Sequence, residues 1–246
     1  LPDIYFLNGQ FVNLENARVS INDRGFQFGD GIYEVIRTYQ GRIFHLDEHL
    51  KRFEKSAREI DLPLPFSRPE MKKSIEEACL KSGYPMAKIY VQMTRGEAER
   101  SHAFPAGIKP TFIMTVLKLS PFPPALKASG VEMITTEDLR WGRCDIKSLN
   151  LLPNVLAQQK AKKAGVYEAL MVRNGKVTEG SISNFFMVKN EAVATPPLSS
   201  FILPGVTRDL VLDIARSLKI KVIEKDIPAE EIYRADEVFL SGTTIE

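Results

Sequence analysis

Three prolines in four residues, Pro121, Pro123 and Pro124, rule out one continuous helix or strand through the middle of the chain. On either side the apolar pattern switches between the two-residue period of strands and the 3.6-residue period of helices. Such a chain folds as α+β, in two domains joined by a linker at 120–125. The expected division is a smaller N-terminal α+β domain, 1–119, and a larger C-terminal one, 126–246, with a crevice between them.

In the first half, Ile4–Leu7 and Gln10–Val12 flank Asn8-Gly9, a hairpin signal. Gly31–Tyr39 reads as a strand turned by Gly41. Leu46, Leu50, Phe53, Ala57 and Ile60 form a helical stripe that Asp47 can cap, ended by Pro63 and Pro65. Ser67 and Glu70 make a capping box for a helix that buries Met71, Ile75 and Ala78 and stops at Gly83. Strands are expected at Lys88–Thr94 and Thr111–Leu119, with a polar loop between them. In the second half, a strand at Val131–Thr135 precedes a helix from Pro153 to Gly165. A hairpin turns at Asn174-Gly175. Thr207 caps a helix with the stripe Leu210, Val211, Ile214 and Leu218. Lys221–Glu224 and Glu237–Leu240 read as strands.

Composition narrows the class. Hydrophobic residues make up 44% and charged residues 26%, the balance of an ordinary globular core and surface. The net charge is +2 and no long basic run occurs, so nothing favours nucleic acid or a membrane surface as partner. No apolar run is long enough to span a bilayer. The start, LPDIYFLNGQ, lacks the basic and apolar regions of a signal peptide, and the expected location is cytoplasmic. Cys79 and Cys144 form no C-x-x-C and read as free thiols rather than as a redox or metal site.

Several residues can carry chemistry. Lys147 lies among Ile146, Leu149, Leu151 and Leu152. A lysine desolvated there would supply a neutral amine for Schiff-base formation, although a lone lysine is ordinarily a surface charge. Glu179, in VTEGSISN, could keep a pyridine nitrogen protonated, or be a surface turn. Leu203-Pro204-Gly205-Val206-Thr207 leads into a helix start, a site for a phosphate dianion or a plain N-cap. Ser241-Gly242-Thr243-Thr244 could complete an anion cradle, or be a polar turn. Arg52 lies opposite the apolar stripe of its helix, either at the surface or reaching an anion. Arg100-Ser101-His102 is a natural carboxylate trap or a solvated loop. RGFQFGDGIYEV, with two aromatics and three glycines beside Tyr33, is unusual for a strand entry. The order lysine, acid, then two hydroxyl-bearing anion loops is more specific than any one element.

RGFQFGDGIYEV, TRGEAERSHAFP, RWGRCDIKSLNLL, VTEGSISN and ILPGVTRD resemble the matching stretches of bacterial D-amino-acid transaminases, in register over nearly the whole chain. DIKSLNLL with VTEGSxSN marks the wider class, which includes branched-chain transaminases and aminodeoxychorismate lyases. The R-S-H triplet with the tyrosine of GIYEV marks the D-specific branch.

The resemblance implies a two-domain, fold-type IV α+β fold and pyridoxal 5'-phosphate as cofactor, held in the interdomain crevice. Lys147 would be the Schiff-base lysine and also the group that moves the α-proton. Glu179 would partner the pyridine nitrogen. Arg52, Val206, Thr207 and Thr243 would hold the phosphate, with Leu203 and Gly205 in the same turn and Ser183 near the cofactor. Tyr33, Arg100 and His102 would take the substrate α-carboxylate, the last two reaching into the neighbouring subunit of a homodimer. The reaction implied is ping-pong transfer of an amino group from a D-amino acid, such as D-alanine, to a 2-oxo acid, such as 2-oxoglutarate. No metal is implied.

Gly142 stands where a bulkier residue is expected, Ile182 where a serine is common, and a further C-terminal strand and helix are expected beyond Glu246. The alternative on the same fold is a branched-chain L-amino-acid transaminase or aminodeoxychorismate lyase. A hydrolase using Cys144 is disfavoured by the adjacent Asp145 and by histidines without motif context.

Overall fold

The computed structural model describes residues 1–245, and the chain divides into two compact units. Unit one comprises Leu1–Pro121 together with Ile146–Asn150; unit two comprises Phe122–Asp145 and the chain from Leu151. The short segment that carries Lys147 therefore belongs with the first unit, not with its neighbours in sequence.

Unit one contains strands β1 (Ile4–Leu7) and β2 (Gln10–Val12), a short helix α1 (Arg24–Phe28), strands β3 (Gly31–Tyr39) and β4 (Arg42–Ile43), helices α2 (Leu46–Glu59) and α3 (Arg68–Ser82), and strands β5 (Ala87–Thr94) and β6 (Thr111–Lys118). The six strands form one antiparallel sheet in the order β2-β1-β6-β5-β3-β4. Asn8 and Gly9 both adopt positive φ, 48° and 95°, as the tight turn between β1 and β2 requires. Alternate residues of β5 (Ala87, Ile89, Val91, Met93) and β6 (Phe112, Met114, Val116) are buried in one core with Phe53, Met71 and Ile75 of the two helices. Phe53 is 0% exposed and meets Phe112 edge-on. Phe53→Ala should cost about 3–5 kcal/mol of stability, read as a lowered urea midpoint.

Unit two contains α4 (Pro124–Ser129), β7 (Met133–Glu137), α5 (Leu152–Lys163), β8 (Glu168–Arg173), β9 (Lys176–Gly180), β10 (Asn184–Lys189), β11 (Ala192–Thr195), α6 (Val206–Ser217), β12 (Lys221–Glu224) and β13 (Glu237–Ser241). Two sheets form, β12-β11-β10-β13 and β7-β8-β9. Strand β10 is buried on both faces. Phe185 and Met187 enter a core with Leu170, Val177 and Ile227, whereas Phe186 enters another with Val193 and Leu212. A run buried on both sides shows no alternation, which is why β10 and β11 were not expected from the pattern.

Four local expectations are corrected. Asp47 does not cap α2; the N-cap is His45, and Asp47 pairs with Lys72 at 3.0 Å. Gly205, not Thr207, is the N-cap of α6. Part of the expected linker is helical, as α4 begins at Pro124. Arg24–Phe28 forms a helical turn that the glycines concealed. The capping box of α3 is present, with Glu70 accepting from Ser67 N at 2.7 Å and Ser67 Oγ at 2.6 Å.

Candidate active site

In unit one the site is built on β3 and α2. The period of β3 turns Glu34 to the same buried side as Ile32 and Ile36. A carboxylate placed there needs partners, and α2 supplies them. Beside its apolar stripe, α2 buries a second, polar stripe at helical spacing, His49, Arg52 and Ser56. Arg52 is thus corrected from a residue opposite the buried face to one only 8% exposed. Its Nε and Nη2 donate to Glu34 Oε2 and Oε1 at 2.9 and 2.5 Å, a fork-to-fork pair. His49 Nδ1 stands 3.2 Å from Glu34 Oε1, outside hydrogen-bonding geometry. Burial raises the Glu34 pKa, but the Arg52 guanidinium and His49 outweigh it and hold the carboxyl well below the usual range. Burial lowers the His49 pKa; Glu34 opposes this, while the charges of Arg52 and Lys147 add to it.

The Lys147 segment lies along the edge of β3 that β4 covers only at Thr38 and Tyr39. Tyr33 N donates to Lys147 O at 3.0 Å and Leu149 N to Gly31 O at 3.0 Å, while Ser148 bridges to Ile32. From α2, Ser56 Oγ accepts from Lys147 N at 3.2 Å. Ile146, 4% exposed, anchors the segment in the first core. The backbone is therefore held from two sides, and Lys147 Nζ reaches Tyr33 Oη at 3.4 Å. Two residues that sequence reading singled out separately, 114 positions apart, are in contact. Arg100 and His102 are exposed on the loop between β5 and β6.

In unit two the centre is Glu179, at the end of β9 and 5% exposed. Its Oε2 accepts from Leu203 N at 3.1 Å and Asn184 Nδ2 at 2.9 Å, and its Oε1 pairs with Arg140. Arg140 is fixed in turn by Asp138, with Nε to Oδ1 at 2.9 Å and Nη2 to Oδ2 at 2.8 Å. Burial raises the Asp138 pKa, but the Arg140 contacts outweigh it and hold the carboxyl far below its usual range. Asn184 also donates to Leu203 O at 2.9 Å, so it ties β9 to the 203–205 turn. A Cβ on Gly205 would fall 2.0 Å from Asn184 Oδ1, which explains the glycine. Val206 and Thr207 open α6 with no side-chain cap, leaving first-turn N–H groups for an outside acceptor. Asn184 faces Ser241 in the β10–β13 ladder, and Thr243 follows shortly after. Glu179, Leu203, Gly205 and the end of β13 thus gather about one asparagine.

Ser183 is 6% exposed and its Oγ donates to Glu168 Oε1 at 2.8 Å. The same oxygen accepts from Ile182 N at 2.8 Å and Ser181 Oγ at 3.3 Å. Burial raises the Glu168 pKa more than these donors lower it. A raised carboxyl contributes stability that is complete below its unfolded value and lost as pH climbs through the folded one. Glu168→Gln carries no charge, so its stability should gain on the wild type as pH rises, measured by urea unfolding at acidic and alkaline pH.

Sequence reading missed His49, Asp138 and Glu168, which follow no local motif; Glu34 stood within RGFQFGDGIYEV, Arg140 within RWGRCDIKSLNLL and Asn184 within VTEGSISN, each without an assigned role. Cys79 and Cys144 are both buried enough to push their thiols up to about 11, so neither is an activated nucleophile. Among the described residues there is no cluster suited to a metal ion, and no helix is long and apolar enough to cross a membrane.

Comparison with known proteins bears on this arrangement. The family model of amino-transferase class IV matches residues 31–246. The chain is 43% identical to the D-alanine aminotransferase of Bacillus licheniformis over 97% of this chain and 84% of that one. It is 44% identical to that of Staphylococcus epidermidis, covering 98% and 86%. The branched-chain amino acid aminotransferase of Escherichia coli superposes with a TM-score of 0.92 at 29% identity, covering 99% of this chain and 84% of that one. The branched-chain aminotransferase of the archaeon Thermoproteus uzoniensis, solved with norvaline, gives 0.89 at 30%, covering 99% and 84%. Another branched-chain aminotransferase, solved with pyridoxamine 5'-phosphate, gives 0.91 at 28%, covering 98% and 82%. The α+β fold is that of the fold-type IV aminotransferases, and the chain belongs to the amino-transferase class IV family.

Proposed function

We propose that the chain is a pyridoxal-phosphate-dependent transaminase that moves the amino group of a D-amino acid, such as D-alanine, to a 2-oxo acid, such as 2-oxoglutarate. The observation that carries this reading is the Lys147 amine held against the Tyr33 hydroxyl at 3.4 Å, in a chain 43–44% identical to D-alanine aminotransferases.

The donor set fits the cofactor. A lysine amine on a backbone braced from two sides, a buried carboxylate fixed by two N–H donors and an arginine, and an uncapped helix start are what an aldehyde, a pyridine nitrogen and a phosphate require. When bound, pyridoxal phosphate supplies an aldehyde carbon that takes up amines and a protonated ring that accepts the electrons of the α-carbon. Lys147 Nζ would hold that carbon in the resting enzyme, then remove the α-proton of the substrate and return a proton to the former aldehyde carbon. Tyr33 Oη would keep the amine directed. Glu179 would stand at the ring nitrogen, its orientation maintained by Arg140, Asn184 and Leu203. Arg52, with the backbone and hydroxyl donors of Val206, Thr207 and Thr243, would take the phosphate. Leu203 and Gly205 would shape that turn, and Ser183 would lie near the cofactor.

Tyr33, Arg100 and His102 would bind the α-carboxylate, the last two from the partner subunit of a homodimer. Size-exclusion chromatography at a monomer's elution volume would remove that part. Small molecules are the only other partners proposed, and the cytoplasm is the proposed location.

The structural neighbours named as branched-chain aminotransferases favour a second reading, an L-specific transaminase on the same fold. The visible spectrum decides between them. A yellow band bleached by D-alanine and not by L-alanine supports the D-specific assignment. Bleaching by L-amino acids alone selects the second reading. No band after adding pyridoxal phosphate rejects both.

A further inference from the structure

The segment Arg24–Asp30 lies at the base of the exposed loop that carries Arg100 and His102. Helix α1 is fixed to the sheet before it reaches that loop. Asp23 Oδ1 caps it by accepting from Gly25 N at 2.8 Å. Asp23 Oδ2 accepts from Thr94 Oγ1 at 2.9 Å and Thr111 Oγ1 at 2.7 Å, at the ends of β5 and β6. Arg24 N donates to Gly96 O at 2.9 Å. A Cβ on Gly25 would fall 2.2 Å from Thr94 Cγ2, so α1 can lie this close only with glycine there.

From this base the Arg24 side chain, 3% exposed, turns to the loop. Its Nε donates to Asp30 Oδ2 at 2.8 Å, its Nη1 to Ser101 O at 2.5 Å and its Nη2 to His102 O at 3.3 Å. Arg95 braces Asp30 from Nε at 2.9 Å and spends its other nitrogens on Asp61 O and Ile60 O. The Phe28 ring carries the rest. The guanidinium carbons of Arg24 and Arg100 both lie 4.8 Å from its centroid, and the His102 ring centroid is 5.4 Å away. Two backbone carbonyls of the triplet and both of its ionisable side chains are therefore set by two residues some seventy-five positions upstream.

An exposed loop without secondary structure would otherwise lose side-chain freedom each time a carboxylate bound. Resting Arg100 and His102 on one ring, with their backbone pinned beneath, removes much of that cost in advance. We infer that Arg24 and Phe28 are positioning residues for carboxylate recognition: they set the spacing and direction of Arg100 and His102, and with them the preference for amines that carry an α-carboxylate. This rests on the proposed roles of Arg100 and His102.

The test compares the holoenzyme with Arg24→Lys, which keeps the charge but not the fork, and Phe28→Leu, which keeps apolar bulk but not the ring. Bleaching of the cofactor band is followed after rapid mixing with D-alanine, and with methoxyamine, a small amine reagent that has no carboxylate. Both variants should need on the order of tenfold to a hundredfold more D-alanine for half-maximal rate, the loss that misplacement of a binding group by about 1 Å brings. The maximal rate and the methoxyamine rate should stay within about threefold of wild type, since no group that reacts has moved. Amide exchange across 99–104 should be faster in both. Unchanged D-alanine saturation in the two variants overturns the inference alone, and so do equal losses for both reagents, which would mean general damage. A wild-type protein that D-alanine does not bleach overturns the functional reading and this inference with it.

Discussion

Lys147→Ala should reduce D-alanine:2-oxoglutarate transamination by roughly 10⁴-fold, while leaving the far-ultraviolet circular dichroism unchanged. The size of the effect follows from the two tasks proposed for one amine, holding the cofactor and carrying the proton. The fold should survive because the bonds that place the segment come from its backbone. Lys147 N, Lys147 O and Leu149 N make them, and Ile146 supplies the anchor. Truncating the side chain removes the contact with Tyr33 Oη and leaves these backbone bonds in place. Added methylamine should restore part of the half-reaction, because a free amine can take over proton transfer without being tethered. A variant with near-normal turnover would remove Lys147 from the chemistry and overturn its assignment as the Schiff-base lysine.

Glu179→Gln should slow the D-alanine half-reaction on the order of 10²–10³-fold, the scale on which one preorganised electrostatic group acts in a buried site. The amide oxygen can still accept from Leu203 N and Asn184 Nδ2, so the turn at 203–205 should keep its shape. What disappears is the charge, and with it the Oε1 acceptor that faces Arg140. Arg140 loses one carboxylate but keeps the bidentate grip of Asp138, so a modest fall in melting temperature is expected rather than unfolding. With the ring nitrogen less well protonated, α-proton removal becomes the slow step. The rate difference between D-alanine and its α-deuterated form should therefore widen in the variant. Equal isotope effects and a wild-type rate would show that Glu179 has a structural part alone, as partner of Arg140, Asn184 and Leu203.

These expectations draw on parts of the chain that differ in how openly the sequence displayed them. The first hairpin was legible to the residue, because Asn8-Gly9 provides the two positive-φ positions that a two-residue turn demands. Strand β3 was legible for its bounding glycines, and α3 for its capping box and the glycine stop at Gly83. Helix starts fared worse. Asp47 and Thr207 are good caps by type, yet the chain enters α2 through His45 and α6 through Gly205. In both places the tertiary path of the incoming loop decided the boundary.

Lys147, Tyr33 and Glu179 stood out by residue type and by resemblance. Their supports did not. Arg52 had the helical position of a solvent-facing residue until Glu34, 18 positions away on a strand, drew it into the interior. Arg140 reaches Glu179 across 39 positions, and Arg24 reaches His102 across 78. No local pattern encodes such pairs, because each partner satisfies its own segment's propensity without the other.

By itself, the amino-acid order determined most of the succession of strands and helices and the main turns, and singled out Lys147 as the candidate amine, since backbone preference and apolar period act over a few residues. Only the tertiary structure decided which charges are buried and what holds them. A buried charge is tolerated only where distant segments bring it an opposite partner, and that is a property of the packed chain.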